Sequence, residues 1–114
     1  MLPNNSLNLL SYEDARGRSP FDVWFTKLSS IAAAKVVVAL AQLGRGNFSN
    51  VKSVGASVHE LKVAHGPGYR IYFGKEGNTM IILLGGGTKK RQRADIKAAK
   101  HRWVDYKTRK RKGN

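Results

Sequence analysis

Apolar positions recur along this chain in two rhythms. In "SPFDVWFTKL", Phe21, Trp24, Phe25 and Leu28 stand at i, i+3, i+4 and i+7, which is one face of a helix. Ser19 is placed to cap it, Pro20 suits its first position, and Asp22 completes the capping-box spacing. "SSIAAAKVVVALAQLGRGNF" predicts a second helix, capped by Ser30 and stopped at Gly44 or Gly46. The Ser29-Ser30 break between them suggests an antiparallel helical hairpin.

From Val51 the period changes to two. In "VKSVGASVHELKVAHG" a strand is expected in which Leu61 and Val63 alternate with Glu60, Lys62 and Ala64. "YRIYF" alternates likewise, with Tyr69, Ile71 and Phe73 on one face and Arg70 and Tyr72 on the other. "EGNTMIILLG" is nearly continuous, as a central strand buried on both faces requires. After "GGG", Ile96, Ala99, Trp103 and Tyr106 form a stripe at helical spacing, expected as core. "KTRKRKGN" is expected to fray into a tail. An early strand over "LNLLSY" is weakly signalled. The order (β)ααβββα predicts an α+β fold. A helical hairpin packs on a small twisted antiparallel sheet, a three-strand meander with a fourth N-terminal strand in reserve, and a C-terminal helix follows. The 114 residues make one domain, residues 1–106, followed by a basic tail, 107–114.

Charge changes the picture most. The formal net charge is +14, and it is uneven. Residues 1–88 hold 9 Lys or Arg against 5 Asp or Glu, whereas residues 89–114 hold 12 against 2, a net of +10. Such asymmetry points to a polyanionic partner, nucleic acid or acidic protein. The plainer reading is a solubilising tail. With no cysteine, disulfides and thiolate metal sites are excluded, and a reducing cytoplasm is the expected compartment. No run approaches the ~18 apolar residues of a membrane span, and the N-terminus has no signal-peptide pattern.

The candidate chemistry is cationic. Neither "LGRGNF" nor "GGG" fits a phosphate-loop or dinucleotide pattern. His59, His65 and His101 have no metal-binding spacing, and the seven carboxylates are scattered, so neither a metal nor a cofactor is expected. Burying Leu61, Val63, Ile71 and Phe73 puts Lys62, Arg70 and Tyr72 on the opposite face, expected to be open. Lys62 and Arg70 would floor a groove rimmed by Lys89, Lys90, Arg91 and Arg93. Such a groove suits a phosphate backbone, with Tyr72 able to stack on a base. Cleaving RNA through its 2′-OH needs cations at the phosphate and groups for two proton transfers. His65 and Asp95 are the candidates for the latter. The plain alternatives are an exposed Arg70 paired with Glu60, a turn role for His65, and a helix-terminus charge for Asp95.

Four stretches, "FDVWFTKL", "GRGNFSNVKSVGASVHELKV", "GPGYRIYF" and "ILLGGGTKKRQRADIKAAK", together resemble the HigB-like addiction-module killer proteins, phage-derived toxins of the RelE/ParE superfamily. The likeness runs from about Phe21 to Lys100. It implies a RelE/ParE-like fold and a toxin that cuts mRNA on the ribosome without metal. Arg70 matches the arginine that binds the scissile phosphate. Lys89 matches the basic residue after the glycine run, Lys62 lies near a lysine of the preceding strand, and Asp95 corresponds to a proton-transfer or positioning residue. The resemblance also implies a helix-turn-helix antitoxin, and operator DNA bound through the pair. ParE-like cousins poison DNA gyrase and cleave nothing, and a nucleic-acid-binding module without activity is a further alternative. Where many relatives place an acid and then a lysine after the glycines, this chain has "TKKRQR".

Overall fold

The computed structural model describes residues 6–113. The elements are β1 (Asn8–Ser11), α1 (Pro20–Thr26), α2 (Ser30–Gly44), β2 (Val51–Gly55), β3 (Val58–Val63), β4 (Tyr69–Glu76), β5 (Met80–Thr88) and α3 (Gln92–Gly113). A single 3-10 turn, Lys89–Arg91, joins β5 to α3. Both short-helix signals act as expected. The Ser19 hydroxyl accepts from the Asp22 N–H at 3.2 Å, with Pro20 following in the first turn. The cap of α2 is Ser29 rather than Ser30: its hydroxyl accepts from the Ala32 N–H at 3.2 Å. Beyond the end of α2, Gly46 takes φ +91°, which a side chain would resist.

The sheet has five strands in the order β1-β5-β4-β3-β2, with β1 parallel to β5 and every other pair antiparallel. The expected three-strand meander is therefore corrected to a four-strand one with a parallel edge. The added strand is β2. Its hairpin with β3 turns on Ala56 and Ser57, both at positive φ (54° and 63°), as a tight two-residue turn demands.

Both faces of the sheet are covered. On one, α1 lies on β5 and α2 on β3, enclosing Phe21, Val36, Leu43, Leu61, Ile71, Phe73, Ile81 and Leu83. On the other, α3 crosses β4 and β5 and encloses Val58, Tyr72, Ile82, Leu84, Ala99 and Trp103. The open face expected around Arg70 and Tyr72 is thus a second core. The basic segment 107–113 does not fray but continues α3 to Gly113. Two acceptors hold it: Glu76 takes Lys110 at 2.6 Å, and Asp105 takes Arg109 at 2.9 Å.

Glycines let the helices approach. Gly74 lies under Trp103, where a Cβ would sit 2.5 Å from the indole. In β5 the pairing skips Leu84, a bulge that puts Leu84 and then Gly85 toward α3. The three consecutive glycines then split between the layers. Gly86 meets Trp24 of α1, while Gly85 and Gly87 meet Arg102 and Asp95 of α3. "GGG" is a packing device near the end of β5, between the two helical layers. Among the described residues, no helix is long and apolar enough to cross a membrane.

Candidate anion-binding site

Antiparallel register sets Lys62 directly opposite Arg70, and Arg70 directly opposite Gly87. Two cations thus stand side by side on one face, next to a position with no side chain. The turn "GPG" completes the site. Gly66 and Gly68 have positive φ, and the Gly68 N–H donates to the His65 carbonyl at 2.9 Å. The Gly68 carbonyl in turn accepts from the Lys89 N–H at 2.9 Å, which pins the end of β5 to the turn. A Cβ at Gly68 would lie 3.0 Å from an Arg70 guanidinium nitrogen, so the turn presses closely on the arginine. Lys62, His65, Gly68, Arg70 and Lys89 therefore line one shallow depression of about 420 Å³.

Arg70 is the unusual member. It is 7% exposed, yet it has no ion pair and no hydrogen bond among the described residues, and its Nε is buried without a partner. The alternative of an exposed Arg70 paired with Glu60 does not form. Glu60, itself buried, accepts from Gln92 Nε2 at 2.6 Å and faces Lys52 Nζ at 3.8 Å. A largely buried arginine without an ion-pair partner is costly, and an anion entering the depression would relieve it. Lys62 and Lys89 add charge on either side. His65 lies against Tyr69, the rings stacked at 6.3 Å.

Not every sequence candidate converges here. Tyr72 is fully buried beneath α3, so the expectation that it stacks on a base is corrected. Its hydroxyl pKa is pushed up, chiefly by burial and then by the carboxylates of Glu60 and Asp95. Lys90 and Arg93 are exposed outside the depression, and Arg91 turns toward a different hollow beside Trp24 and Arg102. Asp95 packs over Gly87, the residue opposite Arg70, but pairs with Arg91 at 4.0 Å rather than with Arg70. Two features were missed in the sequence: Gly68 as the residue that seats Lys89, and Gln92 as the partner that occupies Glu60. The "GPG" turn signalled the first, while nothing in the local pattern signalled the second.

Burial raises the Asp95 pKa above the ordinary carboxyl value, against the pull of Arg91 and Arg102, and its Oδ2 has no hydrogen-bond partner among the described residues. The unfolded chain therefore loses this proton at lower pH than the folded one. Stability falls as pH rises from the unfolded value through the folded one, and stays lowered at neutral pH. Asp95→Asn is expected to raise the thermal midpoint at neutral pH by roughly a few degrees. The gain should shrink to nothing below about pH 4, where both states are protonated. Thermal melts across that range check it, and a gain independent of pH would contradict the assignment.

Fold and site together define a small α+β protein whose sheet carries a cationic groove. Residues 23–104 match the phage-derived protein Gp49-like family (DUF891), and the chain belongs to it. This family is associated with the toxins of toxin–antitoxin systems, and membership implies an antitoxin partner. The chain is also similar to an uncharacterized protein of Haemophilus influenzae. The two are 42% identical over 81 residues, covering 70% of this chain and 82% of that protein.

Proposed function

We propose that this protein is the toxin of a toxin–antitoxin pair and acts as a HigB-like, ribosome-dependent mRNA endonuclease. The observation that carries the reading is Arg70, a largely buried arginine with an enclosed Nε and no ion-pair partner among the described residues, at the floor of a groove shared with Lys62, His65 and Lys89. In this role Arg70 grips the scissile phosphate with its planar fork, and the two lysines offset the charge that builds as the 2′-oxygen attacks. His65 is the proton-transfer candidate that reaches the groove. Asp95, one strand away over Gly87, acts on the position of that end of α3. The antitoxin, a helix-turn-helix protein on this reading, neutralises the toxin, and the pair binds operator DNA.

The test is to express the protein from a tightly controlled promoter and map new 5′ ends on translated mRNAs. Cuts phased with codons, absent from untranslated transcripts, are expected. Growth arrest with intact mRNA would instead point to a gyrase-directed toxin.

A further inference from the structure

We infer that the outward face of α3 is a second nucleic-acid contact, a track for the phosphodiester backbone of a duplex, separate from the Arg70 groove. At about 100° per residue, Arg93, Lys97, Lys100, Val104, Lys107 and Arg111 fall within about 80° of one another around the helix axis. They run along about 27 Å of helix. Five of the six are cations, and no carboxylate shares the stripe.

The neighbouring acids are already occupied elsewhere. Asp105 accepts from Tyr12 at 2.6 Å and pairs with Arg109. Glu76 takes Lys110 and the Tyr106 hydroxyl, the latter at 2.9 Å, and Asp95 is turned down onto Gly87. The basic residues of α3 thus sort into two sets. Arg109 and Lys110 pair inward and hold the helix to the body. Arg93, Lys97, Lys100 and Arg111 have no ion-pair or hydrogen-bond partner among the described residues; Lys100 is half-buried, its ammonium lying against the β2–β3 turn where a Cβ at Gly55 would sit 3.2 Å away, and Lys107 lies over the Trp103 ring. A rigid rod bearing unneutralised cations on one side repels itself until a polyanion lies along it.

Composition separates nucleic acid from an acidic protein as the occupant. The core of a protein–protein interface is depleted of lysine and enriched in aromatic side chains. Lysine fills three of the six positions of this stripe, no aromatic residue shares it, and its one apolar residue is Val104. Evenly placed point charges suit a backbone read without regard to sequence, with counterions released on binding. The argument does not use Arg70, so the track stands or falls apart from the proposed cleavage.

The experiment is fluorescence anisotropy of the full chain with labelled RNA and DNA hairpins of about 16 base pairs. Salt is varied between about 50 and 200 mM. The variants are Lys97→Gln/Lys100→Gln, the same pair with Lys107→Gln/Arg111→Gln, and Arg70→Ala, each checked for helix content by circular dichroism. The fourfold variant is expected to lose about four from the slope of log K against log salt, and the double variant about two. Arg70→Ala should bind the duplex within about twofold of the parent, because charge outside the track contributes little to docking at this salt. The tighter of the RNA and DNA hairpins identifies the source of the backbone. A salt slope unchanged in the fourfold variant overturns the proposal. So does a loss in Arg70→Ala as large as in the fourfold variant, which would place the duplex in the groove. Displacement of the hairpin by a glutamate peptide at equal charge concentration would also overturn it, in favour of an acidic protein partner.

Discussion

Arg70→Met is expected to abolish the proposed cleavage and, at the same time, to make the protein harder to unfold. Methionine keeps the aliphatic bulk of the stem and removes the guanidinium. On the proposed chemistry, the lost contact to the transition-state phosphate costs on the order of 10²–10³ in cleavage rate. The fold, by contrast, is relieved of a largely buried cation that no carboxylate among the described residues pairs with, since Glu60 is held by Gln92 and Lys52. Replacing buried charge with apolar volume is commonly neutral or stabilising. Cleavage mapped in cells and a urea titration of the purified variant give the two readings. Arg70→Lys should fall between parent and methionine in rate, because an ammonium supplies charge without the planar fork. A variant that loses activity and stability together would make Arg70 a structural residue, and the groove would lose its central argument.

Trp103→Ala is expected to give the largest loss of stability, about 3–5 kcal/mol. The indole is 4% exposed, covers Gly74 and stacks on Tyr106 at 5.5 Å, with the Lys107 ammonium above it at 5.4 Å. Few other large side chains bind α3 to the sheet: Ala99 is small, and Ile96 and Tyr106 are only partly buried. A domain of this size holds roughly 5–15 kcal/mol in all. The substitution would therefore take a large share, and α3 would leave the sheet first. Urea unfolding followed by both tryptophan fluorescence from Trp24 and helical dichroism checks this. Coincident transitions shifted by less than about 1 kcal/mol would show that α3 is held by other contacts.

How far the sequence could be read follows from the range of each signal. Local signals were reliable: Ser19-Pro20 set the start of α1, and the alternation in "YRIYF" put Ile71 and Phe73 into the core. What failed was the inference that the other face of that strand stays open. Glu60, Lys62 and Arg70 look like a solvated surface, yet two clues contradicted it. "MIILL" was already apolar on both faces, so a layer had to lie over each, and Tyr72 sat among the polar residues. The closure comes from α3, dozens of residues downstream, and no local period reports it. The strand β2 was hidden for a different reason, because its turn uses Ala56 and Ser57 in place of the glycine or asparagine that marks such hairpins. For the site, alternation and the resemblance together chose Lys62, Arg70, His65 and Lys89 from a chain rich in cations. They could not show that Arg91 and Arg93 diverge, because that depends on a single 3-10 turn.

The register of the sheet also bears on the order in which the molecule assembles. The groove from Lys62 to Lys89 is contained in one short, contiguous stretch, built from the pairings β3–β4 and β4–β5 across adjacent turns. Strand β1, in contrast, finds Met80 from Asn8, a parallel pairing that closes a long loop and so forms slowly. A chain whose distant ends have not yet met can therefore already display its cationic groove. For a protein of this family, the interval in which a partner must recognise it opens before folding is complete.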